Sequence, residues 1–208
     1  MSKEKKLKID ETKKETPFYY ETIGFIAIIF VIIIFGQLGR IGQILNIFFM
    51  VAFGDWYWLT VIFILFFGLS NILTHQRFDF RNQRYIGYLI CTLGLIILSH
   101  FSLHKAIIND TTGQSYLSLT WNHYKNFITS SNPDAYRTLG GGIIGGFIFF
   151  IIYYLLGTIG ITIVSVIIII LGFAMIINKS VVDISKYVFA RLKDVKKITG
   201  SFNRYFKY

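Results

Sequence analysis

The sequence predicts an all-α fold: a polytopic membrane helical domain. It has four transmembrane crossings, re-entrant or interfacial helices beside them, and a basic amphipathic helix at the C-terminus. Three observations carry this reading. Of 208 residues, 54% are hydrophobic and only 15% charged, and mean hydropathy is +0.57. Several uncharged runs approach or exceed the roughly 18 to 20 residues needed to cross a hydrocarbon core about 30 Å thick. Basic residues, finally, gather in three segments that all fit one side of a bilayer.

The elements follow in chain order. Residues 1–18 form a charged tail. The apolar run behind it is too long for a cleavable leader and lacks a small-residue cleavage site, so an uncleaved first span is expected. The membrane domain covers 19–178, and its first span is placed at about 20–35. The run from Ile41 to Gly54 is too short to cross alone and suits an interfacial or re-entrant helix. The second span, about 56–73, opens with Trp56, Tyr57 and Trp58. Rings with polar edges favour the headgroup level, so these three are the expected interface anchors. The third span is placed at about 85–103. From Leu139 to Ile177 there are 39 residues without a charge. A straight helix of that length would measure about 58 Å, nearly twice the core thickness. A break is therefore expected, with Gly157 and Gly160 as hinge candidates.

Charge sets the orientation. Lys and Arg are retained on the cytoplasmic side of short loops. Seventeen of the 21 basic residues lie in the N-terminal tail, the 75–84 loop and the tail after Ile177. Both termini and the 75–84 loop are thus expected inside, and the 104–138 loop outside. An odd number of crossings must then fall between 139 and 178. The reading gives one crossing at about 161–177 and a re-entrant or tilted helix at 139–156, entered from the outer face.

The outer loop is polar and aromatic, with Tyr116, Trp121, Tyr124 and Phe127. "SYLSLTWNHYKNFI" can form a short helix on the outer leaflet. The favoured reading is a surface loop whose Trp and Tyr anchor the interface; the alternative is a docking surface for an extracytoplasmic partner. In the last segment, 179–208, Val181, Ile184, Val188, Leu192, Val195, Ile198, Phe202 and Phe206 fall at helical spacing. With lysines and arginines around the rest, this juxtamembrane helix fits a membrane surface or a partner helix better than direct DNA contact.

No catalytic, cofactor-binding or metal site is expected. The single cysteine, Cys91, allows neither an intrachain disulfide nor a thiolate cluster. His100 and His104 share a helix face, but no third metal ligand is evident. No charge lies near the centre of a crossing, which argues against an ion-coupled transporter. "LGGGIIGG" (Leu139 to Gly146) resembles a phosphate cradle, but it lacks the closing Lys-Ser/Thr. Gly141 and Gly145, and Gly142 and Gly146, are each four apart. Small residues at that spacing let membrane helices approach closely, so these four are helix-packing candidates. A small membrane channel or transporter subunit is the competing reading, and a membrane-embedded enzyme a weaker one.

Four stretches, in order and spacing, resemble the N-terminal membrane domain of the FtsK/SpoIIIE DNA translocases. They are "QLGRIGQ" (Gln37 to Gln43), "FGDWYWL" (Phe53 to Leu59), "LSHFSLHK" (Leu98 to Lys105) and "LGGGIIGG". The likeness is nearest to the SpoIIIE-like, Gram-positive type. It implies a four-span membrane anchor and assembly domain with both tails cytoplasmic, placed at the division septum and serving chromosome segregation. The implied partners are the lipid bilayer, further copies of the chain and division-septum proteins. DNA would be met only through a motor that residues 1–208 do not contain: the family's Walker motifs and winged-helix domain have no counterpart here. No cofactor and no enzymatic activity are expected of this chain, which looks like an isolated anchor domain or a truncated form.

The orientation is open to a direct test. A cysteine replacing Tyr205 should resist a membrane-impermeant thiol reagent added outside intact cells. Labelling from outside would reverse the assignment.

Overall fold

The computed structural model describes residues 17–75, 78–108, 115–130, 138–180 and Asp183. Six α-helices make up the described fold: α1 (Pro17–Phe35), α2 (Gly39–Phe53), α3 (Tyr57–Thr74), α4 (Gln83–Ile108), α5 (Tyr116–Thr129) and α6 (Gly142–Ile177). A 3-10 turn, Gly54–Trp56, links α2 to α3. Among the described residues there is no strand. Four helical stretches are long and apolar enough to cross a membrane: Phe18–Phe35, Gly39–Thr74, Gln83–Ile107 and Gly142–Ile177. The expected tail helix over 179–208 lies outside the described residues except for Lys179, Ser180 and Asp183, as do residues 1–16 of the charged tail.

Two helix pairs form the body, α1 with α3 and α4 with α6. In the first, α1 and α3 approach closely where both lack side chains. A Cβ on Gly24 would fall 2.5 Å from Ile72 Cγ1 and 2.6 Å from the Gly68 carbonyl oxygen; one on Gly68 would fall 2.9 Å from the Gly24 carbonyl oxygen. Towards the far end of this pair, Val31, Ile34, Phe49 and Val61 close a small core. The side chain of Asn46 on α2 donates to the Ile34 carbonyl at 3.2 Å and to the Tyr57 hydroxyl at 3.3 Å. One buried amide thus ties α2 to the end of α1 and the start of α3. At the near end His75 Nε2 meets Glu21 Oε1 at 2.7 Å, with both side chains well exposed. An exposed pair of this kind contributes little to stability.

In the second pair, α4 runs along both arms of α6. The contacts give the direction. A Cβ on Gly145 would meet Ile96, and one on Gly146 would meet the His100 ring. Phe149 lies against His100 and His104, and Tyr153 against His104. Numbers rise together, so this first arm is parallel to α4. After Gly157 the order inverts: Gly94 faces Ile168 and Ile169, and Gly87 faces Gly172. The second arm is antiparallel. The reversal takes place at Gly157, with φ 66° and ψ −169°, a combination open to glycine and costly for other residues. Gly160 sits against the returning chain, where a Cβ would clash with the Leu156 side chain. The two glycines therefore serve differently: Gly157 turns the backbone and Gly160 leaves room for the turn.

The described residues of the segment expected as an outer loop are mostly helical. α4 continues to Ile108, and α5 is capped by Ser115, whose hydroxyl accepts from the Ser118 N–H at 3.4 Å. The interface-anchor reading of its aromatics gives way to a core reading. Tyr124 and Phe127 are buried with Val51, Leu103, Ile107 and Leu139, and Tyr116 packs against that cluster. Only Trp121 of the four is well exposed. The reason is periodicity: Tyr116, Thr120, Tyr124 and Phe127 share one face of a helix, which a loop would not provide.

Candidate functional site: a glycine turn held from three sides

The start of the glycine run singled out in the sequence lies in one short stretch of irregular backbone, Thr138 to Gly141, between α5 and α6. Gly140 and Gly142 both take positive φ, 57° and 64°. This bends the chain into the bundle at the level of Ile96 and His100. Space there is minimal. A Cβ on Gly54 would meet the backbone of Gly140 and Gly142, one on Gly141 the Ile96 carbonyl, and one on Gly142 the backbone of Ala52 and Gly54.

Irregular backbone amid apolar helices is tolerated only when its polar groups find partners. Here they do, group by group. The Leu139 N–H donates to Asp55 Oδ1 at 2.8 Å. The Leu139 carbonyl accepts from the Tyr124 hydroxyl at 3.2 Å and from the Gly142 N–H at 3.1 Å. Gly140 donates to Thr138 Oγ1 at 3.0 Å and accepts from the Asp55 N–H at 2.8 Å. Gly141 donates to His100 Nδ1 at 3.2 Å and accepts from the Gly145 N–H at 2.9 Å. The Thr138 hydroxyl donates to Asp55 Oδ2 at 2.7 Å, and His123 Nε2 meets the Thr138 carbonyl at 2.9 Å. The linker after α2, helix α4 and helix α5 thus each place at least one polar side chain on the turn.

The polarity of His100 follows from this arrangement. Nδ1 accepts from a backbone N–H, so the ring proton sits on Nε2, which donates to the Tyr116 hydroxyl at 2.9 Å. Burial pushes the Tyr116 phenol up to about 12, and burial also raises that of Tyr124. Both therefore remain neutral hydroxyls near neutral pH. His104, one turn on, lies among Phe101, Tyr116, Phe149 and Tyr153, and its Nδ1 is buried without a hydrogen-bond partner. The two histidines share a face, but His100 has both ring nitrogens engaged. Among the described residues no group of three His, Cys, Asp or Glu could hold a metal ion.

The same N–H groups of the turn are the ones a phosphate cradle would use. A phosphate cradle needs free N–H groups pointing at a common centre. The N–H groups of Leu139, Gly140 and Gly141 are all taken by protein atoms. The four packing candidates divide into two kinds: Gly141 and Gly142 belong to the turn, while Gly145 and Gly146 lie on the buried face of the helix, against α4 of the same chain. Of the anchor candidates, Trp56 and Trp58 stack with centroids 5.6 Å apart, whereas Tyr57 turns its hydroxyl to Asn46. Sequence reasoning missed Asp55, Thr138 and His123. Asp55 was detectable as the one acidic residue of an otherwise uncharged aromatic stretch.

No established family profile matches the chain, and no solved structure matches it. Among curated proteins it is similar to the DNA translocase FtsK of Bacillus cereus, 30% identical over 181 residues, which is 86% of this chain and 22% of the relative. The DNA translocase FtsK of Oceanobacillus iheyensis is 27% identical over 150 residues, 72% of this chain and 19% of its own. The DNA translocase SpoIIIE of Bacillus subtilis is 26% identical over 187 residues, 89% and 24%. The chain spans about a fifth to a quarter of the length of the curated relatives it matches.

Two substitutions probe the turn. Gly145→Leu forces side-chain atoms into Ile96, and overpacking of this kind costs about 1–3 kcal/mol. Asp55→Ala removes two charge-assisted bonds at a partly solvated position, for about 1–2 kcal/mol. Both should lower the thermal midpoint of the detergent-purified protein. Unchanged melting of Gly145→Leu, with unchanged association, would contradict the packing role.

Proposed function

We propose that this chain, which by sequence is related over most of its length to the FtsK/SpoIIIE family of DNA translocases, is the membrane anchor and assembly domain of a septal DNA translocase. It would serve chromosome segregation and cell division without catalysing a reaction itself. The observation that carries the proposal is the pairing of two facts. Relatives named as DNA translocases match 72–89% of the chain, and the chain holds four helical stretches long and apolar enough to cross a membrane. The polar side chains gathered at the glycine turn are engaged in holding backbone. They support a scaffold better than a catalytic site.

In this reading both termini are cytoplasmic, the first arm of α6, parallel to α4, runs towards the outer side as far as Gly157, and the second arm crosses the bilayer back to the inner side. Copies of the domain associate, and division-septum proteins are its partners. DNA would be contacted only by a motor joined to such a domain. The rigid junction at Thr138–Gly141 would keep the two helix pairs in fixed relation, so that a load on the cytoplasmic side is transmitted to the whole domain.

A fluorescent fusion of residues 1–208 should gather at midcell in dividing Gram-positive cells. Even distribution around the cell membrane would remove the septal part of the proposal. The mass of the domain in mild detergent should exceed that of a monomer; a purely monomeric mass would remove the assembly part.

A further inference from the structure

Helix α5 covers only half of its apolar face. Thr120, Tyr124 and Phe127 are buried, the two rings among Val51 of α2, Leu103 and Ile107 of α4 and Leu139. Leu117, Trp121 and Ile128 lie on the adjoining stripe and remain 50%, 61% and 53% exposed. Opposite them stand Ile143 and Phe147 of α6, also exposed. Between the two helices runs a groove. One cavity of about 140 Å³ lies between Leu117, Trp121 and Phe147, and a second of about 120 Å³ between Trp121, Lys125 and Ile128. Both are lined by Trp121, Tyr124 and Ile143, so they are neighbouring parts of one channel along α5.

We propose that this groove binds one acyl chain of an anionic phospholipid, with Lys125 meeting the headgroup. Three observations select that occupant. Its two cavities, about 140 and 120 Å³, are of the size that a run of methylene groups fills. From Leu117 to Ile128 it runs for about 17 Å, close to half the thickness of a ~30 Å hydrocarbon core, which is the reach of one acyl chain. The lining is apolar, its charged residue, exposed Lys125, contributes the stem, and no carboxylate lines either cavity, so the ammonium at the rim favours a negative headgroup. Bound there, the lipid would cover the half of α5 that the protein leaves open and would brace α5 against α6 beside the glycine turn. The inference rests on the membrane placement of the chain and is independent of its septal role.

Native mass spectrometry of the whole chain in mild detergent tests this, with phosphatidylglycerol and phosphatidylcholine of identical acyl chains as probes. The first phosphatidylglycerol should bind saturably and about fivefold more tightly than phosphatidylcholine. Lys125→Gln, at an exposed position that leaves packing intact, should abolish the preference while both lipids still bind. Ile143→Trp, which fills the groove, should weaken both. Equal affinity of the unaltered protein for the two lipids overturns the proposal, as does a preference that survives Lys125→Gln. Addition of a second copy of the chain in place of lipid overturns it as well.

Discussion

The structure depends on satisfying the backbone of three residues, Leu139 to Gly141. Every N–H and carbonyl of this turn is paired, and the partners come from the linker after α2, from α4 and from α5, as well as from the turn itself. In an apolar surrounding an unpaired amide costs several kcal/mol. The fold therefore gathers polar side chains here, buried His100 and Tyr124 from one side and exposed Asp55 from another, and the need to bring them together sets how the two helix pairs meet. Asp55 is the central case. Its carboxylate takes the Thr138 hydroxyl and the Leu139 amide while its own N–H reaches Gly140, so one residue reads three successive positions of the turn.

Close packing follows from the same constraint. Helices whose outer surfaces meet lipid gain little from hydrophobic association and must rely on contact between backbones. Gly24 against Gly68, Gly87 against Gly172, and Gly145 against Ile96 supply such contacts along both pairs. The glycines of the turn and those of the helix faces therefore solve one problem by two routes: the former permit a bend, and the latter permit approach. The reversal at Gly157 allows a run of 36 uncharged residues to pack twice against one partner helix, α4.

The consequence for function is a domain with a densely hydrogen-bonded junction and extensive apolar surfaces. Aromatic and aliphatic side chains on α1 and on both arms of α6 stand exposed, as expected of faces turned to lipid or to further subunits. Set beside translocase relatives several times longer, this points to a part whose work is to hold position. The groove along α5 adds a specific lipid contact next to the junction. It would link the local bilayer to the stiffness of the bundle.

The sequence alone determined the class of structure. Uncharged runs of sufficient length, the clustering of basic residues and the spacing of four family-like stretches are all local or compositional signals, and they survive without knowledge of packing. Gly157 was legible for the same reason: a run of 39 uncharged residues is too long for the bilayer and must turn where glycine allows it. Tertiary structure decided what the polar residues are for. Asp55, His100, His123 and Tyr124 come from sites as far as 84 residues from the turn they serve, so no periodicity or spacing could join them. It also decided that Gly145 and Gly146 face α4 of their own chain, and that Tyr124 and Phe127 are core. The pairing of helices, which sets these outcomes, arises from shape complementarity between faces distant in sequence and leaves no mark in any single segment.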